Sequence, residues 1–230
     1  MAKKQNRAPY LSQKETTWGW VYFALQLIVL PIALNKLNIY LKLSSSWLNL
    51  VYYTVNFVAV ILIFRSYLAR SLSHAGSHFW DLLKGCILGL SVYWACNYCL
   101  GWLAGKLFPG FSNVNDSHVL SMMKENFWPW AIATVVMVPL TEELFYRGLI
   151  FRGLRPRKRK LAYILSTLAF CAVHVIGYIG SYPWQTLLLC FVQYIPAGLC
   201  LAWACDEADN IYASVLVHSV INAMGVFSGR

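Results

Sequence analysis

Apolar runs of membrane-crossing length alternate with short polar connections along this chain, at about residues 18–35, 47–64, 79–104, 128–154, 160–178, 184–204 and 211–226. About 20 apolar residues span a hydrocarbon core, so the pattern predicts an all-α, polytopic integral membrane helical bundle of about seven transmembrane helices. Between the third and fourth runs lies "FPGFSNVNDSHVL", read as a Gly/Pro/Asn-rich loop. A short segment with Met122, Met123 and Phe127 follows and is expected along the interface. Three parts result: a basic tail over 1–17, three transmembrane helices with the interfacial segment over 18–127, and a four-helix C-terminal unit over 128–230. The first run exceeds a signal-peptide core and lacks a small-x-small cleavage site, so it is expected to be retained. No internal repeat stands out.

Composition agrees with the pattern. The 230 residues are 59% hydrophobic and only 12% charged, against about 25% charged in ordinary globular domains. That leaves too little polar surface to cover a soluble particle.

The net charge of +10 is distributed by topology rather than for nucleic acid, which is excluded as a partner. Alternating the spans puts the tail, the 65–84 connection and the 152–160 connection on one side. That side holds 13 Lys/Arg and the other five, Lys36, Lys42, Lys106, Lys124 and Arg230. The positive-inside rule then places the tail in the cytoplasm, in a cell membrane if the source is bacterial, and the basic belt attracts anionic lipid headgroups. Trp128, Trp130, Trp184 and Trp203 sit at span ends, as in aromatic belts.

Seven cysteines imply no disulfide framework. Cys96 and Cys99 form C-x-x-C in mid-span, without the βαβ context of a redox motif, and read as small helix-packing residues.

Ionisable groups inside the membrane are costly, roughly 2.5–3.5 kcal/mol each at mid-bilayer on the insertion scale. Glu142, Glu143 and Arg147 nevertheless fall together in "LTEELFYRGLIF" (140–151). Glu143 and Arg147 are four apart in the favourable order for an ion pair. Glu142 points about 100° away, with Tyr146 one turn on, and remains available. Pro139 cannot donate to the carbonyl of Val135, which predicts a local opening of the helix.

Five histidines are present. His74 and His78 read as solvated surface and His118 as part of the polar loop. His174 and His218 fall inside apolar spans. Glu142 and His174 are equidistant from Lys158, the centre of a helical hairpin, so they should stand at one height. Phe170 shares a face with His174, and Asn222 shares one with His218. Glu142, His174, His218 and Asn222 can therefore converge in a polar cavity built from three helices.

The chain lacks H-E-x-x-H, G-x-S-x-G and an intramembrane Asp pair; Asp206 and Asp209 fall in the connection after the sixth span. Apolar surroundings raise the pKa of a carboxylic acid, which suits it to general base catalysis near neutrality, worth about 10²- to 10⁴-fold. Glu142 with His174 could deprotonate a water for attack on a peptide carbonyl. His218 and Asn222 could donate to the oxyanion, each donor being worth about 10²- to 10³-fold.

"EELFYR" (142–147), "FCAVH" (170–174) and "HSVIN" (218–222) resemble, in order and without departure, the E-E-x-x-x-R, F-x-x-x-H and H-x-x-x-N/D motifs of the CPBP intramembrane proteases. That family includes the type II CAAX prenyl endopeptidases and the Abi, bacteriocin-immunity-like proteins. The resemblance covers roughly 128–226, and spans one to three carry nothing attributable to the family. It implies an endopeptidase whose catalytic core is the last four spans, acting on a peptide or lipidated-protein substrate, including prenylated CAAX-type ones. It implies Glu142, His174, His218 and Asn222 as catalytic residues, supported by Glu143, Arg147 and Phe170. Such sites have been described both as metalloprotease centres and as glutamate-activated waters. Glu142, His174 and His218 would be the ligands of a divalent metal such as zinc. A site without a required cofactor is preferred, because one anion and two neutral imidazoles leave a divalent ion half compensated.

Two other classes compete. A non-catalytic immunity or regulatory binding protein of the same fold needs no hydrolysis. A proton-coupled transporter would use Glu142 and the histidines as a relay; the missing inverted repeat and the missing polar path through spans one to three argue against it.

Overall fold

A computed structural model describes residues 10–228. Positions 1–9, most of the expected tail, and Gly229 and Arg230 lie outside the described residues. Ser12 caps the first helix, α1 (Gln13–Leu41): its hydroxyl accepts from the Glu15 amide while the Glu15 carboxylate accepts from the Ser12 amide. This reciprocal cap makes residues 13–17 helical instead of tail. Glu15 is buried against the next helix, where it accepts from the Tyr67 amide at 2.6 Å and from Arg70 at 3.0 Å.

Lys42, in the left-handed conformation, ends α1, and Ser44 caps α2 (Ser45–Ser77). The expected connection over 65–84 is helix almost throughout: α2 continues to Ser77 and α3 (Phe79–Leu107) starts after His78. No proline interrupts this stretch, so the helix persists as its residues turn polar. His74 and His78 stack there at 4.2 Å, half-buried rather than solvated.

Part of the expected loop is also helical. Asn113 accepts from the amides of Asn115 and Asp116 and starts α4 (Val114–Glu125). The fourth apolar run falls in a composite helix, α5 (127–154), of α-helical segments alternating with two π-helical ones, Ala133–Met137 and Leu144–Phe151. Then come α6 (Arg159–Ile176), α7 (Trp184–Glu207) and α8 (Ile211–Ser228). Among the described residues there is no β-strand beyond an isolated bridge of Ile179 with Tyr182.

The protein is a polytopic helical bundle. Among the described residues six helices, α1–α3 and α6–α8, are long and apolar enough to cross a membrane; the interrupted α5, the fourth of the seven expected spans, is not among them. Large apolar side chains point outward along the bundle, among them Ile28, Ile39 and Leu62, which is stable only where the surrounding solvent is hydrocarbon. Cys96 and Cys99 are exposed on α3 too, so they face outward and do not pack helices as expected. Trp128 and Trp184 are exposed, whereas Trp130 is a core residue whose indole donates to Ser46 at 2.7 Å.

The basic end is cross-linked more than its sequence implies. Asp206 lies within α7, buried, and pairs with Arg155 and Arg159, while Tyr163 donates to it at 2.7 Å. Arg152 and Arg155 both reach Asp209. Three of the six basic residues between 152 and 160 thus fasten the α5–α6 turn to the end of α7.

Candidate active site

α5 supplies Glu142, Glu143 and Arg147, α6 supplies Phe170 and His174, and α8 supplies His218 and Asn222. The expected ion pair is present: Arg147 donates to Glu143 Oε1 at 3.0 Å, with both side chains fully buried. Its second terminal nitrogen donates to the Gly198 carbonyl at 2.9 Å, and the guanidinium carbon lies 4.6 Å from the centre of the Phe170 ring. Gly198 permits this because α6 and α7 touch there; a Cβ at that position would stand 2.8 Å from Cγ2 of Thr167. Phe170 is the hub beneath the site, its ring 4.6 Å from that of His174 and 5.7 Å from that of His218.

Glu143 has a second duty that the helix geometry of α5 alone does not disclose. The same Oε1 lies 2.9 Å from Nδ1 of His218. A carboxylate paired with arginine accepts hydrogen bonds, so Nδ1 is the protonated nitrogen and donates. His174 is oriented likewise, with Nδ1 2.7 Å from the Phe170 carbonyl, which can only accept. With Nδ1 so engaged, each ring in its neutral form turns the lone pair of Nε2 toward the cavity. His218, expected as a donor to an oxyanion, can donate from Nε2 only after taking up a proton.

The two lone pairs meet Glu142. Its Oε2 stands 3.9 Å from Nε2 of His174 and 4.0 Å from Nε2 of His218. These separations exceed a direct hydrogen bond, and among the described residues Oε2 has no hydrogen-bond partner. Two hydrogen bonds of about 2.8 Å meeting at one water can bridge such a gap.

The donor types are those zinc takes, and both imidazoles have the Nδ1 partner that metal-bound histidines use. Their placement is wider than zinc needs, since a tetrahedral ion with bonds of about 2.1 Å separates its ligands by roughly 3.4 Å. Among the described residues no three His, Cys, Asp or Glu side chains are grouped to hold a metal ion. As placed, the residues do not fit the ion.

Asn222 is engaged differently from expectation. Its amide donates to the Thr134 main-chain carbonyl at 2.8 Å. In the π-helical segment the Val138 amide reaches back to Ala133, so the register assigns residue 139 as the donor to Thr134. Residue 139 is proline. In that register the Thr134 carbonyl lacks its helical donor, and Asn222 supplies one. Asn222 keeps its second amide hydrogen beside the cavity.

The cavity encloses about 500 Å³ and is lined from every helix. α1–α3 contribute Gln26, Tyr52, Asn56, Tyr93 and Asn97 to that lining. Residues that sequence reasoning did not single out frame His174: the Tyr194 ring lies 4.1 Å from it, and the Tyr194 hydroxyl donates to Asp116 at 2.6 Å. The signal for Tyr194 was Gln193-Tyr194 within an apolar run; that for Asp116 was Asn113 as a helix cap.

Comparison with known proteins places this geometry in context. Residues 124–224 match the family model "Type II CAAX prenyl endopeptidase Rce1-like". Among curated proteins, "UPF0177 protein YxdF" of Lactococcus lactis subsp. lactis is 29% identical over 90 residues, covering 39% of this chain and 44% of that protein. "UPF0177 protein YbdI" of the same organism is 28% identical over 134 residues, covering 55% of this chain and 67% of that protein. The chain thus spans less than half the length of the first relative and about two thirds of the second. No solved structure matches.

Proposed function

We propose that this multi-pass membrane protein, Rce1-like over residues 124–224, is an intramembrane endopeptidase that hydrolyses peptide bonds with a water activated by Glu142. The observation that carries the reading is the unpartnered Oε2 of Glu142 facing two imidazole lone pairs at 3.9 and 4.0 Å.

Water between these atoms gives a proton to Glu142 as its oxygen bonds to the peptide carbonyl carbon, and the carbonyl π electrons move onto oxygen. The second hydrogen of Asn222 stabilises that oxyanion. The tetrahedral intermediate then expels the amine, and Glu142 returns its proton to the leaving nitrogen as the C–N bond breaks. The water's other hydrogen is accepted by one of the two imidazoles, His174 or His218, which turns its oxygen lone pair toward the substrate. Glu143 and Phe170 act through them: Glu143 holds Nδ1 of His218, and the Phe170 carbonyl holds Nδ1 of His174. No metal enters these steps.

Comparing the membrane proteome of cells carrying the wild-type protein with that of cells carrying Glu142→Gln tests the reading. Cleavage products that vanish in the variant, with an unchanged melting temperature, are expected. A product pattern and biological activity indifferent to Glu142→Gln and Glu142→Ala would favour a binding protein instead. Hydrolysis is expected to survive strong chelation; loss on chelation with recovery on added zinc would replace the metal-free mechanism.

A further inference from the structure

Beyond the reacting groups, the cavity has a direction and a charge. Its floor is formed by Tyr146, Phe170, Leu201 and His218, and no residue from the basic ends of the helices lines it. From the floor the lining runs to α4 at the opposite end of the bundle, where Asp116 is both a lining residue and solvent-exposed. Asp116 therefore marks the mouth. A polar network holds it there: Asn113 donates to Gln193 at 2.9 Å, Asn115 to Tyr194 at 3.1 Å, and Tyr194 to Asp116.

Among the described residues no Lys or Arg lines the cavity, whose carboxylates are Asp116 and Glu142. The walls between mouth and floor are rich in amides and phenols. A peptide backbone offers such groups further donors and acceptors, whereas hydrocarbon offers none. A cation at the mouth is attracted by Asp116 and meets no opposing charge inside. The mouth also opens on the face with few basic residues, which the positive-inside rule assigns to the noncytoplasmic side.

We propose that the cavity admits an unlipidated, positively charged peptide segment from the noncytoplasmic face, with Asp116 as the residue that selects the charge. This rests on the hydrolytic reading for what happens after binding, but not for binding itself.

The test uses purified Glu142→Gln protein in lipid nanodiscs and three fluorescent peptides: one containing lysine, its glutamate counterpart, and a farnesylated form of the latter. The lysine peptide is expected to bind tightest, and a further Asp116→Asn change to weaken it about two- to fivefold without weakening the glutamate peptide. Tyr194→Phe removes the hydroxyl but keeps the carboxylate, and should preserve the preference for lysine. Indifference to Asp116→Asn, or tightest binding of the farnesylated peptide, overturns the proposal. For sidedness, Asp116→Cys and Lys158→Cys are compared with Cys96 and Cys99 replaced by serine. A membrane-impermeant maleimide should label position 116 and spare position 158 in intact cells; the reverse overturns the direction of entry. Lysine-peptide binding without cleavage by the wild type would remove the hydrolytic reading and leave this one. Cleavage of the farnesylated peptide alone would do the opposite.

Discussion

Glu143 holds His218 by Nδ1 at 2.9 Å with the same oxygen that accepts Arg147. One buried carboxylate therefore neutralises a cation and orients an imidazole, and substitutions can separate the two roles. Glu143→Gln should leave Arg147 buried without its counter-charge and destabilise the fold by about 3–5 kcal/mol, read as a lower melting temperature in detergent. Combining Glu143→Leu with Arg147→Met removes both charges and should recover most of that stability. Hydrolysis should stay low in the double variant, because Nδ1 of His218 has lost its acceptor. Recovery of full activity with stability would show that orientation of His218 by Glu143 is dispensable.

Asn222 and Pro139 act on one atom, the carbonyl of Thr134. Asn222→Ala leaves that carbonyl unpaired, at a cost of about 1–3 kcal/mol. Pro139→Ala restores a main-chain amide that can reach it. The two changes together should cost less than the sum of the singles, and a double-mutant cycle on thermal stability measures the coupling. Strict additivity would mean that the restored amide does not serve Thr134.

Gly198 lets α6 approach α7 and presents its carbonyl to Arg147. Gly198→Ala should cost about 1–3 kcal/mol through overpacking against Thr167. Thr167→Ser removes the methyl that the new Cβ meets at 2.8 Å and should restore part of the loss. A fully stable Gly198→Ala protein would show that the helices can separate without penalty.

Asp206 is fully buried as a side chain, with Arg155 and Arg159 as its counter-ions. Asp206→Asn should destabilise by about 3 kcal/mol, toward the low end of the buried-pair range because Arg159 is largely exposed. Limited proteolysis should then cut the α5–α6 turn faster. Unchanged protection would leave these pairs without a structural role.

Much of the site was legible because helical periodicity is local. The four-residue spacing of Glu143 and Arg147 predicts their pairing, and the equal distances of Glu142 and His174 from the turn at Lys158 predict their shared height. The pair is present, and Glu142 and His174 lie 3.9 Å apart. Local rules also misled. An α-helical register around Pro139 points to the carbonyl of Val135 alone, but the preceding Ala133–Met137 is π-helical and the carbonyl that Asn222 reaches is that of Thr134. Asp206, read as connection, is the buried anchor of three helix ends.

The sequence by itself determined that the chain lives in a bilayer, which residues are too polar to face lipid, and which of them share a helix face. Each follows from hydropathy and a 3.6-residue period. Only the tertiary structure decided that His218 leans on Glu143, that α1–α3 give the cavity its amides and phenols, and that Asp116 stands at its mouth. Those contacts join residues distant in the chain, and the depth and rotation at which one helix meets another are set by packing across the whole bundle.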